Sequence, residues 1–307
     1  MNTKLNLPTT PKILLAVIWA FVSLTALAQR TPASLGREEF IEVEKNVKLH
    51  VTDMGEGKAV VLIHGWPLSD AMYEYQYAAL VENGYRVIGI TLRGFGQSDK
   101  PYGKYNYDVF ADDIKVILDK LKIESATLGG FSMGGATVIH YMARHKGAHV
   151  TKLALFGAAA PVWTKREDFS YGLWTKEDVN GLIALNKTNR PQLLETFGQI
   201  FGASLSSVSP GLAQWLGNIN IQASSYAMQE GLKTLRDSDL RDDLKKINVP
   251  TLILHGKQDH ICSFDLAEQM KATIKNAELI PFEKSGHALF LEEREKFNNS
   301  LIEFIKK

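Results

Sequence analysis

Residues 129–136 read GGFSMGGA, one serine set among four glycines. A serine hydroxyl is a weak nucleophile until a neighbouring base takes its proton. Two suitable partners follow in the chain: Asp259 in TLILHGKQDHI and His287 in EKSGHALF. Serine, then acid, then histidine is the order found when the nucleophile sits on a sharp strand-to-helix turn. In such a triad the serine attacks an acyl carbonyl and the histidine carries the proton. The acid orients the imidazole and stabilises its charged form. The chemistry these residues could do is acyl transfer through a covalent intermediate on Ser132.

The glycine spacing supports that reading. SATLGGF has the composition of a buried strand ending at Phe131, and a helical pattern begins at Met133. Ser132 is then alone at the turn. Side chains at positions 130 and 134 would collide across it, and Gly135 lets the new helix approach the sheet. The helix start also brings free N–H groups and positive dipole character toward developing negative charge. The Met133 N–H is one expected oxyanion donor. The second is the Trp66 N–H in HGWPLSD, where Gly65 lets the loop fold back and Pro67 fixes the backbone just beyond. His64 is expected to brace this loop. Trp66, Pro67, Phe131, Trp163 and Trp174 are the candidate pocket residues.

The other histidines fit the base role less well. His140 and His145 fall on the helix after the nucleophile, and His255 lies within a strand-like run. His260 is the nearest competitor to His287. Asp237, Asp239, Asp242 and Asp243 cluster in a polar stretch and read as solvated.

Eight short runs must hold these groups in place. EFIEVEKN and VKLHVTDMG alternate apolar and polar residues, as half-buried antiparallel strands do. AVVLIHG, YRVIGIT, SATLGGF, TKLALFG, PTLILHG and AELIPFE are continuous apolar runs, as buried parallel strands are. Helical patterns lie between most of them, at 71–83, 107–121, 133–145, 265–275 and 289–305. The expected architecture is a mainly parallel eight-stranded sheet with helices on both faces. Residues 160–248 interrupt the alternation with amphipathic helices and no strand, which reads as an inserted helical cap. Trp163, Trp174, Phe197, Phe201 and Trp215 fall within it.

The formal net charge of +1 gives no electrostatic case for nucleic acid or an anionic membrane. A single cysteine, Cys262, excludes an internal disulfide and any cysteine-based metal cluster. Near the N-terminus, Lys4 and Lys12 precede an uncharged run from Ile13 to Ala28 that closes on Ala26-Leu27-Ala28 before Gln29. That pattern predicts a signal peptide over 1–28 and an exported, periplasmic or secreted, domain over 29–307. An uncleaved anchor is the alternative, although the run is shorter than the ~20 residues a span needs. No stable membrane association is expected after cleavage.

Taken together, these residues resemble the α/β-hydrolase fold family, and within it the cofactor-free haloperoxidase or perhydrolase and aryl-esterase branch. The resemblance rests on LIHGWPLSDAMYEYQ, GYRVIGITLRGFGQSDKP, GFSMGGATVIHYMARH, PTLILHGKQD and SGHALF. It implies a Ser132–His287–Asp259 triad, a helical cap, and no haem, metal or other cofactor. It implies small ester or carboxylic acid substrates, the acids being converted to peracids with hydrogen peroxide. Two positions depart from the pattern. Thr91 stands where relatives commonly carry Asp, and Ser263-Phe264 stand where they often carry Pro. Epoxide hydrolases and haloalkane dehalogenases of this fold use Asp as nucleophile, and Ser132 argues against both. A lyase or carbon–carbon hydrolase on the same triad, or a non-catalytic ligand-binding homologue, is the alternative reading.

Overall fold

The structure is a computed structural model that describes residues 37–307. The signal-peptide expectation for 1–28 falls outside the described residues. The chain follows the order β1 (Arg37–Glu44), β2 (Val47–Met54), β3 (Lys58–Ile63), α1 (Glu74–Glu82), β4 (Tyr85–Ile90), α2 (Tyr107–Lys120), β5 (Ala126–Phe131), α3 (Met133–Arg144) and β6 (Val150–Phe156). Five helices come next: α4 (Lys176–Thr188), α5 (Arg190–Gln199), α6 (Pro210–Asn220), α7 (Ser225–Asp237) and the short α8 (Arg241–Leu244). The chain closes with β7 (Thr251–Gly256), α9 (Phe264–Thr273), β8 (Ala277–Phe282), α10 (Leu289–Glu292) and α11 (Arg294–Lys306).

The strands form one eight-stranded sheet in the order β1-β2-β4-β3-β5-β6-β7-β8. β1 pairs antiparallel with β2, and β2 with β4; every other neighbouring pair is parallel. The fold is thus an α/β-hydrolase fold. The strands whose sequences alternate are β1, at one edge, and β2 beside it, the two that pair antiparallel with each other. β5 and β7 are buried at every position, which is why their sequences run apolar without alternation. Parallel pairing puts the C-terminal ends of β3, β5, β6 and β7 on one edge, and every loop that carries site chemistry leaves from that edge.

Local chemistry sets the helix boundaries. The segment 165–174 does not join α4 as its pattern suggested. It folds back through bridges Thr164–Trp174 and Arg166–Phe169, and α4 starts only after a capping box formed by Thr175 and Asp178. The apolar pattern across 212–232 is split into α6 and α7, because the Ser224 hydroxyl caps a new start by accepting the Ala227 N–H. The last helical pattern breaks at Glu293, whose backbone leaves the helix (φ −118°, ψ 51°). Ser263, one of the two departures, caps α9 by accepting the Asp265 N–H. Among the described residues, no helix is long and apolar enough to cross a membrane.

Candidate active site

Ser132 lies between the last residue of β5 and the first of α3, with φ 53° and ψ −119°. A non-glycine residue rarely adopts positive φ, and the surroundings must enforce it. Here the Ser132 N–H donates to the Phe156 carbonyl at 2.9 Å, and its own carbonyl accepts from Ala136 and Ala159. The flanking glycines are sterically required. A Cβ on Gly130 would strike the Gly134 backbone, and one on Gly134 would strike the Ile63 and His64 carbonyls. A Cβ on Gly65 would meet the Phe131 ring at 2.7 Å and Ser132 Cβ at 2.9 Å.

Asp259 and His287 meet from two different loops. His287 Nδ1 and Asp259 Oδ2 are 2.6 Å apart, and both residues are buried. Asp259 Oδ1 also accepts the N–H groups of Ile261 and Cys262, each at 2.8 Å. Burial alone would push the Asp259 carboxyl up. The charge and hydrogen bond of His287, with help from His255 and the Cys262 N–H, outweigh it and hold Asp259 below the usual carboxylate range. Asp259 is thereby favoured as a carboxylate, which accepts the Nδ1–H of His287. Among the described residues, Ser132 Oγ and His287 form no hydrogen bond, yet both open into the same cavity.

The competing histidines are engaged elsewhere. His260 is exposed. His255 Nε2 donates to the Cys262 carbonyl at 2.8 Å, beneath the acid loop. His140 lies between Asp108 and Asp243, and His145 beside Asp112. Asp239 and Asp242 are taken up by surface partners, Arg241 and Lys245 respectively.

The loop after β3 is held from both ends. His64 Nδ1 lies 2.8 Å from the Gly65 carbonyl, and its Nε2 accepts the Leu92 N–H at 3.0 Å, so Nδ1 carries the proton. Full burial depresses the His64 pKa to about 4, with the Gly65 carbonyl and Asp70 opposing. The far end is Asp70, a residue the sequence did not single out. Its buried carboxylate collects the hydroxyls of Thr52, Tyr77 and Thr91 and lies 3.2 Å from His50 Nδ1. Thr91, the other departure, thus serves as a hydroxyl partner for Asp70. Between these anchors the Trp66 N–H, like the Met133 N–H, has no acceptor among the described residues.

These groups open into a cavity of about 380 Å³ between the sheet edge and helices α5 and α6. Ser132, His287, Trp66, Pro67 and Trp163 line it. Phe131 and Trp174 do not. Phe131 is buried behind His287, with ring centroids 4.6 Å apart. Trp174 stacks behind Phe197 at 5.8 Å. The wall residues that replace them, Phe197 and Phe201, come from the cap. Periodicity places both in helical patterns, although Phe201 lies just beyond α5, and it does not say which face meets the cavity. Trp163 and Trp174 both donate their indole N–H to the Ile261 carbonyl, tying the cap to the acid loop.

A second tie joins the cap to the histidine loop. Glu292 Oε1 accepts the Ala203 N–H and Oε2 the Gly286 N–H, each at 2.7 Å. The Ala288 N–H donates to the Phe201 carbonyl at 2.9 Å. Glu293 Oε2 accepts the Ser285 hydroxyl at 2.7 Å and the Lys284 N–H at 3.2 Å. That grip is where the break between α10 and α11 is spent: its residue turns back to hold the loop carrying His287.

The family model for the alpha/beta hydrolase fold matches residues 58–294. The AB hydrolase superfamily protein YisY of Bacillus subtilis (strain 168) is 48% identical over 265 residues, covering 86% of this chain and 98% of the relative. An esterase from Exiguobacterium antarcticum superposes with a TM-score of 0.85 at 45% identity, over 88% of this chain and all of the esterase. A bromoperoxidase from Bacillus anthracis superposes with a TM-score of 0.86 at 33% identity, over 88% of this chain and all of the bromoperoxidase. The expectation of export is corrected by the same comparisons. These relatives are covered to 98–100% of their own length by 86–88% of this chain, so nothing in them answers to the segment on which export rested. That segment lies outside the described residues, and neither a periplasmic nor a secreted location stands.

Proposed function

The chain belongs to the α/β-hydrolase fold family, and on that footing we propose that it is a serine hydrolase cleaving small acyl or aryl esters through an acyl-enzyme on Ser132. The observation that carries this reading is the 2.6 Å contact between His287 and an ionised Asp259, at the wall of a cavity that Ser132 also lines. His287 Nε2 takes the Ser132 proton as Oγ attacks the ester carbonyl. The N–H groups of Trp66 and Met133 receive the oxyanion of the tetrahedral intermediate. Collapse expels the alcohol, which takes its proton from His287. Water activated by His287 then releases the acid and restores Ser132. The cap, residues 160–248, closes over the reaction and supplies the apolar wall.

Resemblance to a bromoperoxidase as well as to an esterase supports a second use of the same intermediate. Hydrogen peroxide in place of water would attack the acyl-enzyme and leave as a peracid. Pro67 lines the cavity directly after Trp66, so the Trp66 carbonyl is a candidate acceptor for the terminal O–H of the hydroperoxide.

The test is turnover of p-nitrophenyl esters together with labelling by a fluorophosphonate. Ester hydrolysis and labelling that both vanish in Ser132→Ala are expected. A folded wild type that neither hydrolyses the esters nor takes the label would favour a non-catalytic ligand-binding protein. Peracetic acid made from acetate and peroxide, and lost in the same variant, would establish the second reaction.

A further inference from the structure

Four helical glycines of the cap, Gly181, Gly198, Gly211 and Gly217, stand where a Cβ would meet nothing, and two of them line the cavity. Gly198 lies within α5 and Gly217 within α6. A glycine in a helix destabilises it relative to alanine, so one that persists usually answers to a turn, a left-handed backbone or a close approach. None of these applies. Neither residue adopts a left-handed conformation, and a Cβ added to either meets no atom within 4 Å. The contrast is with Gly130, Gly134 and Gly135, where a Cβ would collide at once. Gly198 and Gly217 do share one property: both line the cavity that holds Ser132 and His287, and Ala213 lines it between them.

We propose that Gly198 and Gly217 hold open an arm of this cavity between α5 and α6, and that the arm takes the extended apolar acyl chain of the substrate. They are specificity-determining residues, and the substrate class is medium-chain acyl esters rather than acetyl esters alone. The proposal rests on the reading of the site as an ester hydrolase. The walls are mainly apolar: Phe197 precedes Gly198, Leu216 precedes Gly217, and Leu194 and Val208 add to them, with the polar Glu195, Gln199 and Asn220 also in the lining. Each methylene buried against such walls is worth roughly fourfold in kcat/KM. A leucine filling the space of two to three methylenes should cost roughly 15- to 60-fold on a long chain and little on acetate.

The experiment compares kcat/KM for p-nitrophenyl octanoate and p-nitrophenyl acetate in the wild type, Gly198→Leu, Gly217→Leu and Gly181→Leu. Gly181, within α4, is the control: a Cβ there also meets nothing, but the residue does not line the cavity. Leucine favours helix over glycine, so all three variants should fold with Tm equal to or above wild type. The octanoate-to-acetate ratio should fall at least tenfold in the first two variants and stay within twofold in the control. An unchanged ratio in both cavity variants, with Tm maintained, overturns the proposal. If the wild type hydrolyses neither ester, the functional reading falls by itself. The arm is then read by octanoate quenching of Trp66 and Trp163 fluorescence, which Gly217→Leu should weaken at least tenfold; equal quenching in that variant overturns it.

Discussion

The elbow at Ser132 and the cap above it both use glycine, for opposite reasons. At the elbow every glycine is demanded by its neighbours, and the backbone it permits is strained. The loop after β3 beside it is pinned through His64 and Asp70, and Asp259 has three close donors. In the cap, Gly198 and Gly217 stand beside open space, and the Asn220 side-chain oxygen in the same wall has no partner among the described residues. The sheet edge is over-determined and the cap is under-filled. Positioning of a nucleophile tolerates little error, whereas accommodation of a chain needs room.

The sharpest way to break this contrast is at the triad. Asp259→Asn should lower kcat by about 10³- to 10⁴-fold with little loss of Tm, because the wrong tautomer of His287 then faces Ser132. Steady-state kinetics decides it, and a near-normal kcat would mean another acid orients His287. Next comes Gly134→Ala, whose methyl would meet two backbone carbonyls that cannot move aside. It should destabilise the fold by roughly 3 kcal/mol or more, measured by denaturant unfolding.

The edge should also respond to acid. His64 titrates near 6.5 when unfolded and at about 4 when folded. Between those values the unfolded chain binds the extra proton, so stability falls as pH drops from 6.5 toward 4. The full effect is about 3 kcal/mol. His50 acts in the opposite sense: burial would lower its pKa, but Asp70 and Glu38 raise it. Denaturation of wild type against His64→Gln across this range isolates the His64 share, and parallel curves would refute it. The smallest effect belongs to the cap. Gly198→Ala should stabilise by about 0.5–1 kcal/mol, opposite in sign to Gly134→Ala; a loss there would mean that the glycine is demanded after all.

The sheet was legible because burial on both faces leaves a plain record, as in LILHG of β7. The elbow was legible because its turn excludes side chains at fixed offsets from Ser132. Asp70 was not, since nothing local marks an aspartate that will collect hydroxyls from β2, α1 and the residue after β4. Nor was the division of labour among the cap aromatics. Phe197 and Trp174 are both apolar residues within helical sequence patterns, and only the tertiary stacking that sets one behind the other decides which meets the cavity. The two helix breaks were hidden for a similar reason. Ser224 and Glu293 interrupt continuous apolar patterns through side-chain and backbone geometry that periodicity does not record.

The grip of Glu292 has a mechanical consequence. One rigid carboxylate spans Ala203 of the cap and Gly286, the residue before His287. The backbones it joins are already in contact, since a Cβ on Gly286 would strike Gly202 and lie 2.5 Å from the Ala203 nitrogen. Contacts of this kind cease to be hydrogen bonds once stretched to about 3.6 Å. Residues 202–203 therefore lift away from the sheet only by breaking these bonds, and any such movement would pull on the loop that carries His287.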